Sequence, residues 1–386
     1  MDIIVELFKA IGRLFMNPLF YIAIAAFIFL GYVRVKRERK YFKTRILTGW
    51  TELKIGTHAL WISIVLSIIS MLIGLVLPVS FLIILTCVSI LMLITMFYHF
   101  ITPIWLFFIT ALVLFLFDVN DWSFNIFGFE ISGLRFDEQL LVSVTVLAGL
   151  LLYVEGRFIK KHGAYFASPI MEKTKRGLQV GAFQSKGLWM LPLFVLVPGD
   201  VVKEISVYWP VFGFGEQTFS IVIFPFIVGF QFKTRKSLPV NFYENFSKPI
   251  QILGQIIIIL GLIGYYYPIM SIITLAVGAI IRFIITLVAA KEEKQEQYAI
   301  APQKKGVMIL SVLPNSPAEK MGLTVGEIIV RVNAQEVNSE KELYEALQIN
   351  AAHCKLEVLD HQGEIRLTQH VVHRNDNHKI GVVLIH

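Results

Sequence analysis

Charged side chains are scarce in this chain. They make up 16% of its 386 residues, while hydrophobic residues reach 56% and phenylalanine alone occurs 31 times. An ordinary soluble domain is roughly a quarter charged, and no water-soluble fold could cover this much apolar surface. The composition therefore assigns most of the chain to a membrane. Cysteine is also nearly absent. Cys87 and Cys354 stand outside any Cys-x-x-Cys spacing, which excludes a disulfide framework and reads as two free buried thiols. No helix-turn-helix, zinc-finger or RNA-binding signature accompanies the net charge of +7, so no nucleic-acid partner is expected.

The motifs of membrane-embedded catalysis are missing as well. A zinc protease needs His-Glu-x-x-His on one helix face, for two ligands and a general base. None of the nine histidines opens it: His58 is followed by Ala-Leu-Trp, His99 by Phe-Ile-Thr and His162 by Gly-Ala-Tyr. Rhomboid-like Gly-x-Ser-Gly is absent. Gly213-Phe-Gly-Glu216 echoes the Gly-x-Gly-Asp of intramembrane aspartyl proteases but carries Glu and has no partner Asp in another apolar run, and Asp200 reads as a turn residue. Ionisable residues within a span usually mark a pathway, and the apolar runs hold few. Arg282 lies about two turns from a run's end, where it could snorkel, and His99 sits at another end. Neither an enzyme nor a transporter is expected, and no metal or cofactor.

What the chain does have is apolar runs of spanning or near-spanning length. They are Leu19–Val33, Ala59–Leu77, Val79–Tyr98, Pro103–Phe117, Gln139–Val154, Leu188–Val202, Phe219–Phe232, Ile250–Tyr267 and Pro268–Ala290. These predict a multispan α-helical membrane domain over residues 1–290, with eight or nine spans. The near-helical run Ile3–Phe15 and the first apolar run lead into Arg34-Val-Lys-Arg-Glu-Arg-Lys rather than a small-residue cleavage site, so they read as a retained anchor. The segments Arg34–His58, Glu155–Gly187 and Lys233–Pro249 are basic, whereas Asp118–Glu138 is acidic. Placing the basic segments inside makes the tail after Lys291 cytoplasmic.

A charged linker, residues 291–305, precedes a change of pattern. From Gly306 onward, short strands (Val307–Val312, Glu327–Val332, Lys355–Leu359, Glu364–Thr368, Ile380–Ile385) surround one helix, Glu340–Gln348, capped by Asn338 or Ser339. Residues 306–386 suffice for one small α+β domain. Ser316 is placed to cap a short helix opened by Pro317, and Gly322 and Gly326 permit backbone angles that a side chain resists.

The run Gly306-Val-Met-Ile-Leu-Ser-Val-Leu-Pro-Asn-Ser-Pro-Ala, then Gly322-Leu, then Gly326-Glu-Ile-Ile-Val-Arg-Val-Asn-Ala resembles the PDZ domains of bacterial membrane and envelope proteins. Glu327 and Ala334 replace the family's usual Asp and Gly. The resemblance implies an extended peptide added to a sheet edge beside a helix, often with its C-terminal carboxylate on backbone amides. The groove would be Lys379-Ile380-Gly381-Val382-Val383 facing Glu340–Gln348, with Tyr344 and Leu347 as its helix side; Leu343, Leu347 and Val382 could instead simply pack the core. Over the whole chain, Asn17-Pro-Leu-Phe-Tyr, the basic Arg34–Lys40, the multispan body and a single terminal PDZ domain are similar to the MinJ family of division-site-selection proteins of Bacillus-type bacteria. That resemblance implies a non-enzymatic adaptor at septa and poles of the cell membrane. It would bridge a DivIVA-like polar protein to MinD-like proteins and their inhibitor MinC, through cytoplasmic loops and the PDZ domain. A PDZ-bearing regulator of a membrane protease or secretion system is the alternative, with an inactive transporter-like or sensory protein behind it.

Overall fold

Asn17 and Pro18 show how the long helices begin. The Asn17 side chain accepts a hydrogen bond from the Leu19 amide at 3.0 Å, and Pro18 fills the first helical position, where no amide is needed. The computed structural model describes residues 2–120, 122–126, 129–132, 138–202, 218–295, 298–349, 353–371 and 380–385. The chain opens with α1 (Asp2–Met16), α2 (Pro18–Phe42), α3 (Thr51–Ile73), α4 (Val79–Ile94) and α5 (Pro103–Val119). A two-stranded hairpin, β1 (Ser123–Ile126) and β2 (Phe129–Ser132), leads to α6 (Glu138–His162). Then come β3 (Ser168–Lys173), β4 (Gln179–Val202), β5 (Phe219–Thr234), α7 (Pro239–Ile263) and α8 (Pro268–Glu293).

Among the described residues, five helices are long and apolar enough to cross a membrane: α2, α3, α6, α7 and α8. The apolar helices α4 and α5 are shorter. Helix α6 is the centre of the bundle, with 83% of its apolar stretch buried against 33–39% in the other four. The outer helices thus turn Leu, Ile and Val outward, as lipid-facing surfaces require.

Two of the expected helical spans are not helices. Leu188–Val202 and Phe219–Phe232 fold as β4 and β5, paired antiparallel from Phe183↔Thr234 to Pro198↔Phe219. Both runs are rich in Val, Ile and Phe, which favour strands, and both carry internal prolines that a helix resists. Pro192 and Pro225 sit directly opposite each other, so both missing amides fall at one rung of the ladder. The hairpin is buried among the helices, and atoms of the helices and of the connections between them bond to its edges. The Phe194 amide donates to Ser67 Oγ at 3.0 Å, Gly229 N–H to Ile101 O at 2.7 Å, and Leu77 N–H to Leu196 O at 2.9 Å, while Arg13 reaches Ile221 O at 2.7 Å. Irregular backbone survives at membrane depth only where protein satisfies it in this way.

The charges also depart from expectation. Arg282 does not snorkel. It is buried, and its Nη2 donates to Glu155 Oε1 at 2.6 Å; Glu155 lies within α6, not in a loop. A second network closes the α2–α3 connection. Arg34 donates Nε and Nη2 to Glu52 (2.7 and 3.2 Å), Nη1 to Glu38 (3.1 Å) and to Leu47 O, and Nη2 to Thr48 O. All five guanidinium hydrogens thus have acceptors. Glu38 in turn accepts from Ser168 Oγ and the Ile46 amide. The basic segment after the first run is therefore helical to Phe42, and its arginine is structural. Cys354 is buried as expected, but Cys87 is exposed on α4. Asp200 lies within β4 rather than in a turn, and the Gly213–Glu216 motif is outside the described residues.

The tail folds as β6 (Val307–Val312), α9 (Pro317–Lys320), β7 (Ile328–Val332), β8 (Gln335–Glu336), α10 (Glu340–Ile349), β9 (His353–Leu359), β10 (Ile365–Val371) and β11 (Val382–Ile385). Its sheet runs β10-β9-β7-β6-β11, with β8 on β7. Val307, Ile309, Ile329, Leu343, Leu356 and Val358 fill the core beneath α9 and α10. The other sheet face is not free. Met308, Leu310, Val383 and Ile385 pack with Ile46, Phe183 and Ile300 of the membrane unit and linker. Ile300, expected in a solvated linker, is fully buried and bridges Gly181, whose amide donates to Ile300 O at 2.9 Å. A Cβ at Gly181 would come within 2.6 Å of Leu310 Cδ1, so only glycine allows this approach.

Candidate peptide-binding groove

Helix α10 opens with a capping box. Ser339 Oγ accepts from the Glu342 amide at 3.2 Å, and Glu342 reaches back to the Asn338 amide at 2.8 Å. Those backbone and hydroxyl partners hold the exposed Glu342 carboxyl below its usual range, the Asn338 amide first. The box fixes the direction in which α10 lays Leu343, Ala346 and Leu347 on the sheet. On the other wall, β11 pairs with β6 from Val382↔Val312 to Ile385↔Met308 and ends the sheet. Its outer edge is the one an added peptide strand would use.

Gly381 shapes the mouth. It has φ +85°, its carbonyl accepts from the Leu313 amide at 2.8 Å, and a Cβ there would collide with Ser316. The neighbouring Ile380 carbonyl accepts from the Ala318 amide at 2.8 Å. Two carbonyls thus tie the start of β11 to the α9 turn, where Ser316 caps as expected by accepting from the Glu319 amide. Gly322 and Gly326 both have positive φ, also as expected. Ala334 adopts φ +68° beside Asn333 at +50°, a two-residue hairpin turn that would prefer glycine. Glu327 is buried and accepts from the Thr324 amide and Arg366.

The structure brings most of the expected groove residues together. Ile380, Val382 and Leu347 share one apolar cluster, with Tyr344 packed on it from a half-buried position. Burial, then the nearby Glu340 carboxylate, raises the Tyr344 phenol. Val383 differs: its side chain points to the opposite face and packs on the membrane unit, which leaves only its backbone for a peptide. Lys379 lies outside the described residues. The signal for the docked face was in the sequence. Val382-Val-Leu-Ile and Val307-Met-Ile-Leu are unbroken apolar runs, as strands buried on both faces show, whereas a half-solvated strand alternates.

Residues 308–359 match the PDZ domain family. The chain is 30% identical over 385 residues to the cell division topological determinant MinJ of Bacillus subtilis (strain 168), covering 99% of this chain and 95% of that one. It is 23% identical over 248 residues to a probable cell division topological determinant MinJ of Lacticaseibacillus paracasei, 64% of this chain and 66% of that protein. A probable periplasmic serine endoprotease DegP-like of Chlamydia pneumoniae matches at 39% over 56 residues, 14% of this chain. That short match covers the size of a module, whereas the first runs through membrane helices, hairpin and PDZ domain alike, so the chain belongs to the MinJ family of cell division topological determinants.

Proposed function

We propose that this chain is a membrane-anchored adaptor of division-site selection, not a catalyst, which links a DivIVA-like polar or septal protein to MinD-like partners. Similarity to a division topological determinant along nearly the whole chain carries the reading. The PDZ groove supplies one docking edge, formed by the backbone of Ile380–Val383 and by Tyr344 and Leu347. The basic segments around α2, β3 and the start of α7 supply others on the same side. On this reading the chain crosses the bilayer nine times, as seven helices and the two strands of the hairpin, with the PDZ domain cytoplasmic. Arg37 bonding Gln184 near one end of β4, and Val76 bridging Leu196 toward the other, support a hairpin that runs through the bundle.

A fluorescent protein fused after His386, imaged in growing Bacillus-type cells, tests the proposal. Enrichment at septa and poles that disappears when the DivIVA-like protein is deleted is the expected result. Uniform membrane signal with normal division in a deletion strain would reject it. The first alternative, a PDZ-bearing regulator of a membrane protease or secretion system, would then be tested by following the processing and export of membrane substrates.

A further inference from the structure

The outer face of the PDZ sheet carries one continuous apolar ladder. Ile385 pairs with Met308, Met308 with Ile328, Ile328 with Leu359 and Leu359 with Ile365, so all five side chains stand on one face. Their burial falls steadily along it. Ile385 and Met308 are buried in the contact with the membrane unit, Ile328 and Leu359 are half-buried, and Ile365 is 65% exposed. Leu367, on the same face of β10, is 62% exposed, and Val371 follows at 43%. One half of the face is seated on the membrane unit and the other half overhangs it.

We infer that the overhanging half, centred on Ile365 and Leu367, rests in the interface of the lipid leaflet on the PDZ side. Three observations favour lipid over a second protein. The surface is continuous with one already seated on the membrane unit. The β9–β10 turn sits against that unit at the first turn of α7: His361 and Leu238 both lie within 3.4 Å of a Cβ position at Gly326, and the adjacent Val240 is 67% exposed on a spanning helix. The connection that seats the domain, through Ile46, is flanked by exposed Tyr41 and Trp50, the residue types that settle at headgroup level. The charges on the face cancel, because Arg331 pairs with Glu336 and Glu357 and the same face of β9 adds Lys355. The attachment is therefore apolar and resists salt.

The test uses the full chain in phosphatidylethanolamine–phosphatidylglycerol vesicles, with Cys87→Ser and an environment-sensitive fluorophore on Leu367→Cys. A control carries the fluorophore on Lys341→Cys, at an exposed position of α10. Interfacial segments sit roughly 5–10 Å deep, so lipids with a shallow nitroxide are the quencher. Quenching several-fold stronger at position 367 than at 341, and unchanged in high salt, is the expected result. Equal quenching at the two positions overturns the inference. So does cross-linking between copies through position 367 that rises with protein density, since that would assign the face to a second copy.

Discussion

The molecule contains two sets of strand edges and treats them in opposite ways. In the membrane unit, the edges of β4 and β5 are closed by atoms from helices and connections: Ser67 Oγ, Ile101 O, the Leu77 amide and the Arg13 guanidinium. In the PDZ domain, β11 ends its sheet and presents its outer edge beside α10. On the proposed topology the contrast follows from the solvent around each unit. An unpaired amide in a bilayer has no water to fall back on and costs several kcal/mol, whereas an edge in water can stay open for a partner. One sheet thus has its edges capped from within the chain, whereas the other ends at β11, the edge that the proposed peptide would use.

Breaking the closed side where it is most heavily charged has the largest expected effect. Arg34→Met leaves Glu38 and Glu52 buried without their cation and should cost about 3–5 kcal/mol. The expected readout is a large drop in melting temperature of the detergent-solubilised protein; an unchanged value would mean that the carboxylates find other partners. On the open side, Gly381→Val puts a β-branched residue at φ +85° against Ser316, with strain of about 1–3 kcal/mol. C-terminal peptides that bind the wild-type chain in fluorescence anisotropy should no longer bind the variant. Retained affinity would remove the start of β11 from the groove.

Ser67→Ala tests the closure of a single edge. It orphans the Phe194 amide at an expected cost of about 1–3 kcal/mol, visible as faster hydrogen exchange in β4 but not in β11. Ala334→Gly should have the smallest effect and the opposite sign. It relieves a left-handed alanine and should stabilise the PDZ domain by about 0.5–1 kcal/mol. Cys354 reports on that domain directly. Burial pushes its thiol up to about 11, so iodoacetamide at pH 8 should modify it only when the domain opens, and more slowly in the Ala334→Gly variant. Because the thiol is raised in the folded state, its contribution to stability is complete below about pH 9. That contribution should be lost as pH rises toward 11.

Much of the groove was legible in the sequence because its determinants are local. Ser316 before Pro317, Ser339 three residues before Glu342, and glycines at 322, 326 and 381 each impose a conformation on their own neighbourhood. The outward exposure of α2, α3, α7 and α8 was not legible in this way, because the central α6 has nearly the same mean hydropathy as α2, α3 and α7 and its apolar stretch is 83% buried. The hairpin was not legible. By length a run of about fifteen residues reads as a helix, since strands usually span roughly 4–8 residues. Its internal prolines argue against a helix without excluding one, because α7 accommodates Pro249.

Short-range chemistry in the sequence settled the membrane class, the turn angles and the strands of the PDZ domain. It also settled the starts of α2, α6 and α8 to within a residue, whereas α3 and α7 begin at Thr51 and Pro239, well before the expected Ala59 and Ile250. The pairing of two apolar runs as strands, the approach of Arg282 to Glu155 127 residues away, and the turn of Val383 toward Ile46 emerge only in the assembled fold. The physical reason is common to all three. Each depends on a partner distant in the chain, and neither a buried charge nor a strand edge carries any local mark of the atom that will satisfy it.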